Sequence, residues 1–240
     1  MMSWGRNYNM VKKYMSKLYL KNLLFFWFFV LIFISPIFPY TPPQIIQKFV
    51  LTEKKLSLMK VYSKKFTGID SFYLHQPKII VIHYTATGTF EQAFKMFNED
   101  EVDKDREKLA KYSACNVGAH FLVDAEGGIF QLYPTTIMTR HTIGFNHTAI
   151  GIENVALTEE SLTKAQLLAN VELIKFLLYR HQSIQYLIGH HEYMHIKLPH
   201  YQFYKNEVSD YTPTIKIDPG FKFMARLREL LKADGIILKE

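Results

Sequence analysis

Lys78-Ile79-Ile80-Val81-Ile82-His83 is the stretch on which the fold turns. Four consecutive β-branched residues without polar alternation read as a strand covered on both faces, which makes it a buried central strand of a sheet. His83 then stands at the C-terminal end of that strand. Downstream of Gly88, Phe90, Ala93, Phe94 and Phe97 recur at helical spacing, and the charged run from Glu99 to Lys108 continues that helix on the surface or forms a loop. A hairpin is predicted from Ala119-His120-Phe121-Leu122-Val123-Asp124, the turn Ala125-Glu126-Gly127-Gly128, and Ile129-Phe130-Gln131-Leu132-Tyr133. Ala149 to Val155 reads as a further strand. Thr163 with Gln166 forms a capping-box pattern ahead of Leu167, Val171, Ile174 and Leu178, so a helix is expected over 163–181. Tyr186-Leu187-Ile188-Gly189 is a last short strand delivering His190, and a final helix runs from about Phe221 through Leu231 towards Gly235. This alternation predicts an α/β fold with a mixed central β-sheet flanked by helices.

Upstream of that strand the chain changes character. Residues 23–34, LLFFWFFVLIFI, are uninterrupted apolar residues preceded by Lys12, Lys13, Lys17 and Lys21. With Ser35-Pro36-Ile37-Phe38 the run reaches only the lower limit of a bilayer span. A basic segment before an apolar one, with no A-x-A-like cleavage site after it, makes 1–38 an N-terminal hydrophobic helix serving as a signal anchor or a signal peptide. The expected location is therefore periplasmic or otherwise extracytoplasmic, with the cytoplasmic membrane as a partner. Residues 39–76 carry Pro39, Pro42 and Pro43 and then Lys54, Lys55, Lys60, Lys64 and Lys65, and read as a linker or basic arm. The catalytic domain is expected over 77–235.

A length of 240 residues, 48% hydrophobic and 21% charged, suffices for one good-sized core. The net charge of +7 is concentrated in the N-terminal segment and the arm, and no nucleic-acid motif accompanies it, so no nucleic-acid partner is expected. Cys115 is the single cysteine, which excludes an intrachain disulfide and any cysteine-rich zinc module. Its context, Tyr112-Ser113-Ala114-Cys115-Asn116, is that of a partly buried small residue rather than a nucleophile.

Chemistry gathers at three places: His83, His190 in Gly189-His190-His191-Glu192, and Asp218 in Lys216-Ile217-Asp218-Pro219-Gly220. Two imidazoles and a carboxylate suit a zinc site with one open position, and residues ending neighbouring strands converge at one sheet edge. Glu153, near the end of its strand, is a candidate proton acceptor, and Lys216 a candidate cation for a developing oxyanion. Ten histidines leave rival ligands in view: His191 beside His190, and His195 and His200 in the stretch that follows. His120 reads as a core histidine. No HExxH pattern is present, which argues against a helix-borne peptidase site.

The ordered pieces IHYTAT (82–87), VGAHFLVDAEGGIFQLY (117–133), HTIGFNHTAIGIENV (141–155), GHHE (189–192) and KIDPG (216–220) resemble the zinc-dependent N-acetylmuramoyl-L-alanine amidases of the amidase-2 type, relatives of phage amidase lysozymes and peptidoglycan-recognition proteins. The resemblance covers about 150 of the 240 residues, from Lys78 to about Arg228. It implies Zn2+ at His83, His190 and Asp218, catalytic roles for Glu153 and Lys216, and cleavage of the amide between N-acetylmuramic acid and L-alanine in peptidoglycan or muropeptides. His141 falls at a family position beside the pocket, giving it either a substrate or outer-shell contact or a structural role, and Asn146 either forms a turn or shapes the groove. Two alternatives stand beside this reading: a non-catalytic peptidoglycan-binding module, and another zinc amide hydrolase. One departure is an inserted loop, 193–214, which separates His190 from Asp218. Its aromatics, Tyr193, Tyr201, Phe203, Tyr204 and Tyr211, either wall the groove or pack the loop onto the domain.

Overall fold

The Lys78–His83 run forms an interior strand, β2 (Ile79–Tyr84), in a computed structural model that describes residues 41–240. Its parallel neighbours are β5 (Ala149–Asn154) on one side and β6 (Tyr186–Gly189) on the other. Ile79 to Ile82 are fully buried, as a strand covered on both faces requires. β3 (Phe121–Val123) and β4 (Ile129–Gln131) form the expected antiparallel hairpin. β3 runs parallel to β5, and the six strands lie in the order β1-β4-β3-β5-β2-β6, with β1 at Ile45–Gln47. In the hairpin turn, Asp124 Oδ1 accepts the Gly128 and Glu126 N–H groups. Gly127 sits at φ +87°, where an added Cβ would fall 2.9 Å from the Ala165 carbonyl oxygen. The mixed α/β sheet is thus present; the N-terminal hydrophobic helix expected over 1–38 lies outside the described residues, among which no helix is long and apolar enough to cross a membrane.

Two predicted helices form close to their expected bounds. In chain order the helices are α1 (Glu53–Thr67), α2 (Phe90–Asn98), the short α3 (Glu107–Ala110), α4 (Lys164–Arg180) and α5 (Phe221–Ala233). The α4 capping box is made in both directions: Gln166 N–H donates to Thr163 Oγ1 at 3.1 Å, and Thr163 N–H donates to Gln166 Oε1 at 2.9 Å. Leu173, Ile174 and Leu177 of α4 are fully buried, each stabilising the fold by roughly 1.5–3 kcal/mol relative to exposure. α5 packs against α4 and β6.

The stretch read as a linker differs from that expectation. β1 adds to β4, and α1 starts on a Thr52 cap whose Oγ1 accepts the Lys55 N–H, then ends at Gly68, φ +68°. Met59, Tyr62 and Phe66 lie on one face of α1 and join the main core. Lys54, Lys60, Lys64 and Lys65 are on the exposed side, while Lys55 is buried and donates to the Phe97 carbonyl at 2.7 Å. Four of the five lysines that suggested an arm are the wet face of an amphipathic helix.

The 193–214 stretch is also better ordered than a plain loop. It contains a 3₁₀ turn at Pro199–Phe203, and Tyr193 and His200 are buried. Phe145 meets the His200 ring at 5.4 Å and the Tyr204 ring at 5.6 Å between centroids. Tyr193 OH donates to the Thr214 carbonyl at 2.7 Å, and Tyr211 packs edge-on against Phe66 and Tyr112. These aromatics chiefly fasten the segment to the domain, although Tyr193 and Tyr211 also reach the cleft.

Candidate metal centre

β2 and β6 are in register at Ile82 and Gly189, so the next residue on each, His83 and His190, emerges beside the other at the sheet's C-terminal edge. Their Nδ1 atoms are 3.0 Å apart. Asp218, arriving from the segment before α5, places Oδ2 at 3.1 Å from His83 Nδ1 and 3.0 Å from His190 Nδ1. Among the described residues these three form the one group of side chains spaced to hold a metal ion. Burial, and then the His83 ring, push His190 down to about 4, so its imidazole is neutral at physiological pH with a lone pair free. Burial alone would raise the Asp218 carboxyl, yet His190 and His83 beside it hold it well below the usual carboxylate range. A tetrahedral ion with bonds of roughly 2.0–2.1 Å sets its donors about 3.3 Å apart, close to the triangle present here. The donor set fits zinc.

The ring nitrogen of His83 that faces away from this triangle is also accounted for. His83 Nε2 lies 3.1 Å from His141 Nδ1 and 3.3 Å from Thr142 Oγ1, and His141 Nε2 lies 3.4 Å from the Ala149 carbonyl. A carbonyl only accepts, so His141 carries its proton on Nε2 and accepts at Nδ1, from His83 Nε2–H or from the Thr142 hydroxyl at 3.0 Å. Zinc at the triangle would select the tautomer of His83 with its proton on Nε2 and Nδ1 as the ligand atom. Gly151 makes the arrangement possible, because a Cβ there would stand 2.7 Å from the His141 ring. His141 thus backs a candidate ligand while also bordering the cleft. Asn154 Nδ2 donates to the His83 carbonyl at 3.0 Å, fixing the backbone of the same residue.

Asn146 is placed differently from the groove-shaping reading. It is buried, its Oδ1 accepts the His141 and Thr142 N–H groups at 3.0 and 2.7 Å, and its Nδ2 donates to Tyr62 OH at 3.0 Å. Its amide closes the turn that presents His141 and does not line the cleft. The rival ligands are placed outside the triangle too. His191 turns its ring to the Asp218 carbonyl, His195 is exposed, and His200 is buried against Phe145. His120 is the core histidine expected: the Gly151 N–H donates to Nδ1, and Nε2–H donates to the Ile137 carbonyl. Cys115 is buried, and burial pushes its thiol up to about 12, in keeping with an inert residue.

Glu153 pairs with His83 in the β2–β5 register, so both side chains leave the same face of the sheet. Its Oε2 is buried without a hydrogen-bond partner. Burial pushes this carboxyl up to about 7, against the pull of the His83 ring. A cleft of about 400 Å³ holds His83, Glu153, His190, Lys216 and Asp218 on its walls. Arg106 and Tyr211 border it as well. Arg106 was hidden from the sequence, since nothing in the charged run 99–108 distinguishes the arginine that borders the cleft from its neighbours.

A sequence profile of the family described as N-acetylmuramoyl-L-alanine amidase, Amidase_2, matches residues 73–220. No curated protein matches the chain. Among solved structures, similarity extends to the N-acetylmuramoyl-L-alanine amidase LysC from Clostridium intestinale URNW, with 20% identity over 62% of this chain and 83% of that one, TM-score 0.40. An AmpD selenomethionine derivative is 22% identical over 66% of this chain and 89% of its own, TM-score 0.46. Bumblebee PGRP-SA is 19% identical over 79% and 94%, TM-score 0.46.

Proposed function

Because this chain belongs to the amidase-2 family of N-acetylmuramoyl-L-alanine amidases, we propose that it hydrolyses the amide between N-acetylmuramic acid and the L-alanine of the stem peptide, in peptidoglycan or muropeptides, with zinc held by His83, His190 and Asp218. The observation that carries this reading is a three-donor triangle with an unpartnered carboxylate, Glu153, on the wall of the same cleft. Zinc bound there would supply a Lewis acid and lower the pKa of a water molecule towards neutrality. Glu153, poised near neutrality, takes the proton from the attacking water at its free Oε2 and returns it to the leaving amine of L-alanine. Lys216 turns its ammonium to the amide oxygen as negative charge builds there. His141 and Asn154 hold His83 by its outer ring nitrogen and by its carbonyl, keeping the triangle set before substrate arrives. A binding module without catalysis would have no use for an orphaned carboxylate and an ammonium beside a metal-capable triangle.

We further place this activity on the outer side of the cytoplasmic membrane. The apolar run 23–34 and the lysines ahead of it support an anchor or export signal over 1–38. The amidase unit in this reading includes β1 and α1 as well as 77–235.

The test is mass spectrometry of purified sacculi treated with the zinc-loaded full-length protein. Free stem peptides beginning with L-alanine are expected. Scission of the sugar chain, or no release at all, would sink the proposal.

A further inference from the structure

Two ligand-bearing segments, separated by 28 residues of chain, are tied to one helix. Asp218 stands three residues before the start of α5. Arg228, further along α5, reaches back to the strand and turn that carry His190. Its Nη2 donates to Glu192 Oε2 at 2.7 Å and to the Leu187 carbonyl at 3.0 Å, and its Nη1 donates to Glu192 Oε1 at 3.1 Å. Glu192 Oε2 also accepts the Gly189 N–H at 2.7 Å. His190 is therefore bracketed, with Leu187 and Gly189 held on one side of it and Glu192 on the other. His191 completes the tie: its N–H donates to the Asp218 carbonyl at 2.9 Å, and its Nδ1 lies 3.2 Å from the same oxygen.

The Glu192 and Arg228 side chains are 8% and 24% exposed, so the pair is largely desolvated. Arg228 Nη1 also lies 3.3 Å from Glu240 Oε1, at the wetter end. A buried ion pair is often no more stabilising than well-packed apolar residues, because desolvation offsets the attraction. What the fork supplies that apolar packing would not is direction: two parallel N–H···O bonds and a third to a strand carbonyl. We propose that Arg228 and Glu192 are positioning residues for the metal centre. Through α5 they fix the His190 imidazole relative to Asp218, so that the spacing of these two ligands is set by the helix and not by the 193–214 insertion. This rests on the metal reading of His83, His190 and Asp218.

The experiment measures zinc affinity of the metal-free full-length protein by competition with a chromogenic chelator, in Arg228→Met, Arg228→Lys and Glu192→Gln, with circular dichroism to establish folding. Loss of a partner hydrogen-bonded to a metal ligand lowers affinity by roughly 10–100-fold, and this pair, which holds the backbone on both sides of His190, is expected at the lower end, about 10-fold. That loss is expected for Arg228→Met, with a smaller loss for Arg228→Lys and Glu192→Gln. Asp234→Asn, which breaks the Lys175–Asp234 pair at the far end of α5, should leave affinity unchanged. Wild-type affinity in the folded variants would overturn the proposal. So would loss of the folded spectrum in all three, which would assign the pair to the fold as a whole. If the wild type itself binds no zinc, the metal reading fails instead, a result the wild-type titration shows separately.

Discussion

His83 and Glu153 stand opposite one another in the parallel register of β2 and β5, one presenting a ring nitrogen to His190 and Asp218 and the other an unpaired carboxylate oxygen to the same cleft. Strand pairing alone sets this relationship, since a one-residue slip would turn Glu153 to the opposite face. Replacing Glu153 by Gln removes the proton acceptor and preserves shape. We expect zinc content equal to wild type and kcat reduced by roughly 10²–10⁴, the usual contribution of a positioned base. Measured zinc stoichiometry and turnover on muropeptides check both halves, and surviving turnover would remove Glu153 from the mechanism.

Lys216 reaches the cleft from the segment that also carries Asp218. Loss of a preorganised charge at a developing oxyanion commonly lowers kcat by about 10²–10³. Lys216→Met should do so with zinc binding retained, because its ammonium is not one of the three donors. A change in KM with kcat intact would show that Lys216 binds ground state and transition state alike.

α1 supplies Met59, Tyr62 and Phe66 to the core, and Tyr62 OH also receives the Asn146 amide that closes the turn starting at His141. Phe66→Ala should destabilise the protein by about 3–5 kcal/mol, as for other buried phenylalanines, read from urea unfolding. A chain beginning at residue 70 would leave that face of the core open and should show no cooperative melt. Wild-type melting of such a fragment would make α1 an accessory.

The contrast between α1 and the metal triangle shows what the sequence could express. Ile79 to Ile82 announced a buried strand because continuous β-branched residues have few other uses, and Thr163 with Gln166 announced a helix start because the reciprocal bonds need that spacing. The convergence of His83 and His190 was legible because both end predicted strands, whereas Asp218 rested chiefly on the family resemblance. α1 was not, since five lysines and the prolines ahead of it masked a narrow apolar stripe of Met59, Tyr62 and Phe66. Asn146 stayed open between two readings for a related reason: an asparagine that closes a turn and one that faces a groove look the same in one dimension. Arg106 and the Arg228–Glu192 fork depend on long-range approach, which local spacing does not encode.

His120 gives the fold an acid sensitivity whose sign is fixed by its hydrogen bonds. Nδ1 accepts the Gly151 N–H at 3.0 Å, so a proton there would set two donors against each other. Burial pushes His120 down to about 4, the Ile137 carbonyl only partly opposing this, whereas an unfolded histidine titrates near 6.5. Between those values the unfolded chain takes up a proton that the folded chain refuses, so stability is lost as pH falls from about 6.5 towards 4. From pH 7 to pH 5 this one residue should remove about 2 kcal/mol. His120→Gln keeps an acceptor and a donor without a titrating ring. Urea unfolding of both metal-free proteins at the two pH values should therefore show the wild type's advantage over the variant shrinking by that amount in acid. A gap that stays constant would mean that the folded protein protonates His120 as readily as the unfolded chain does.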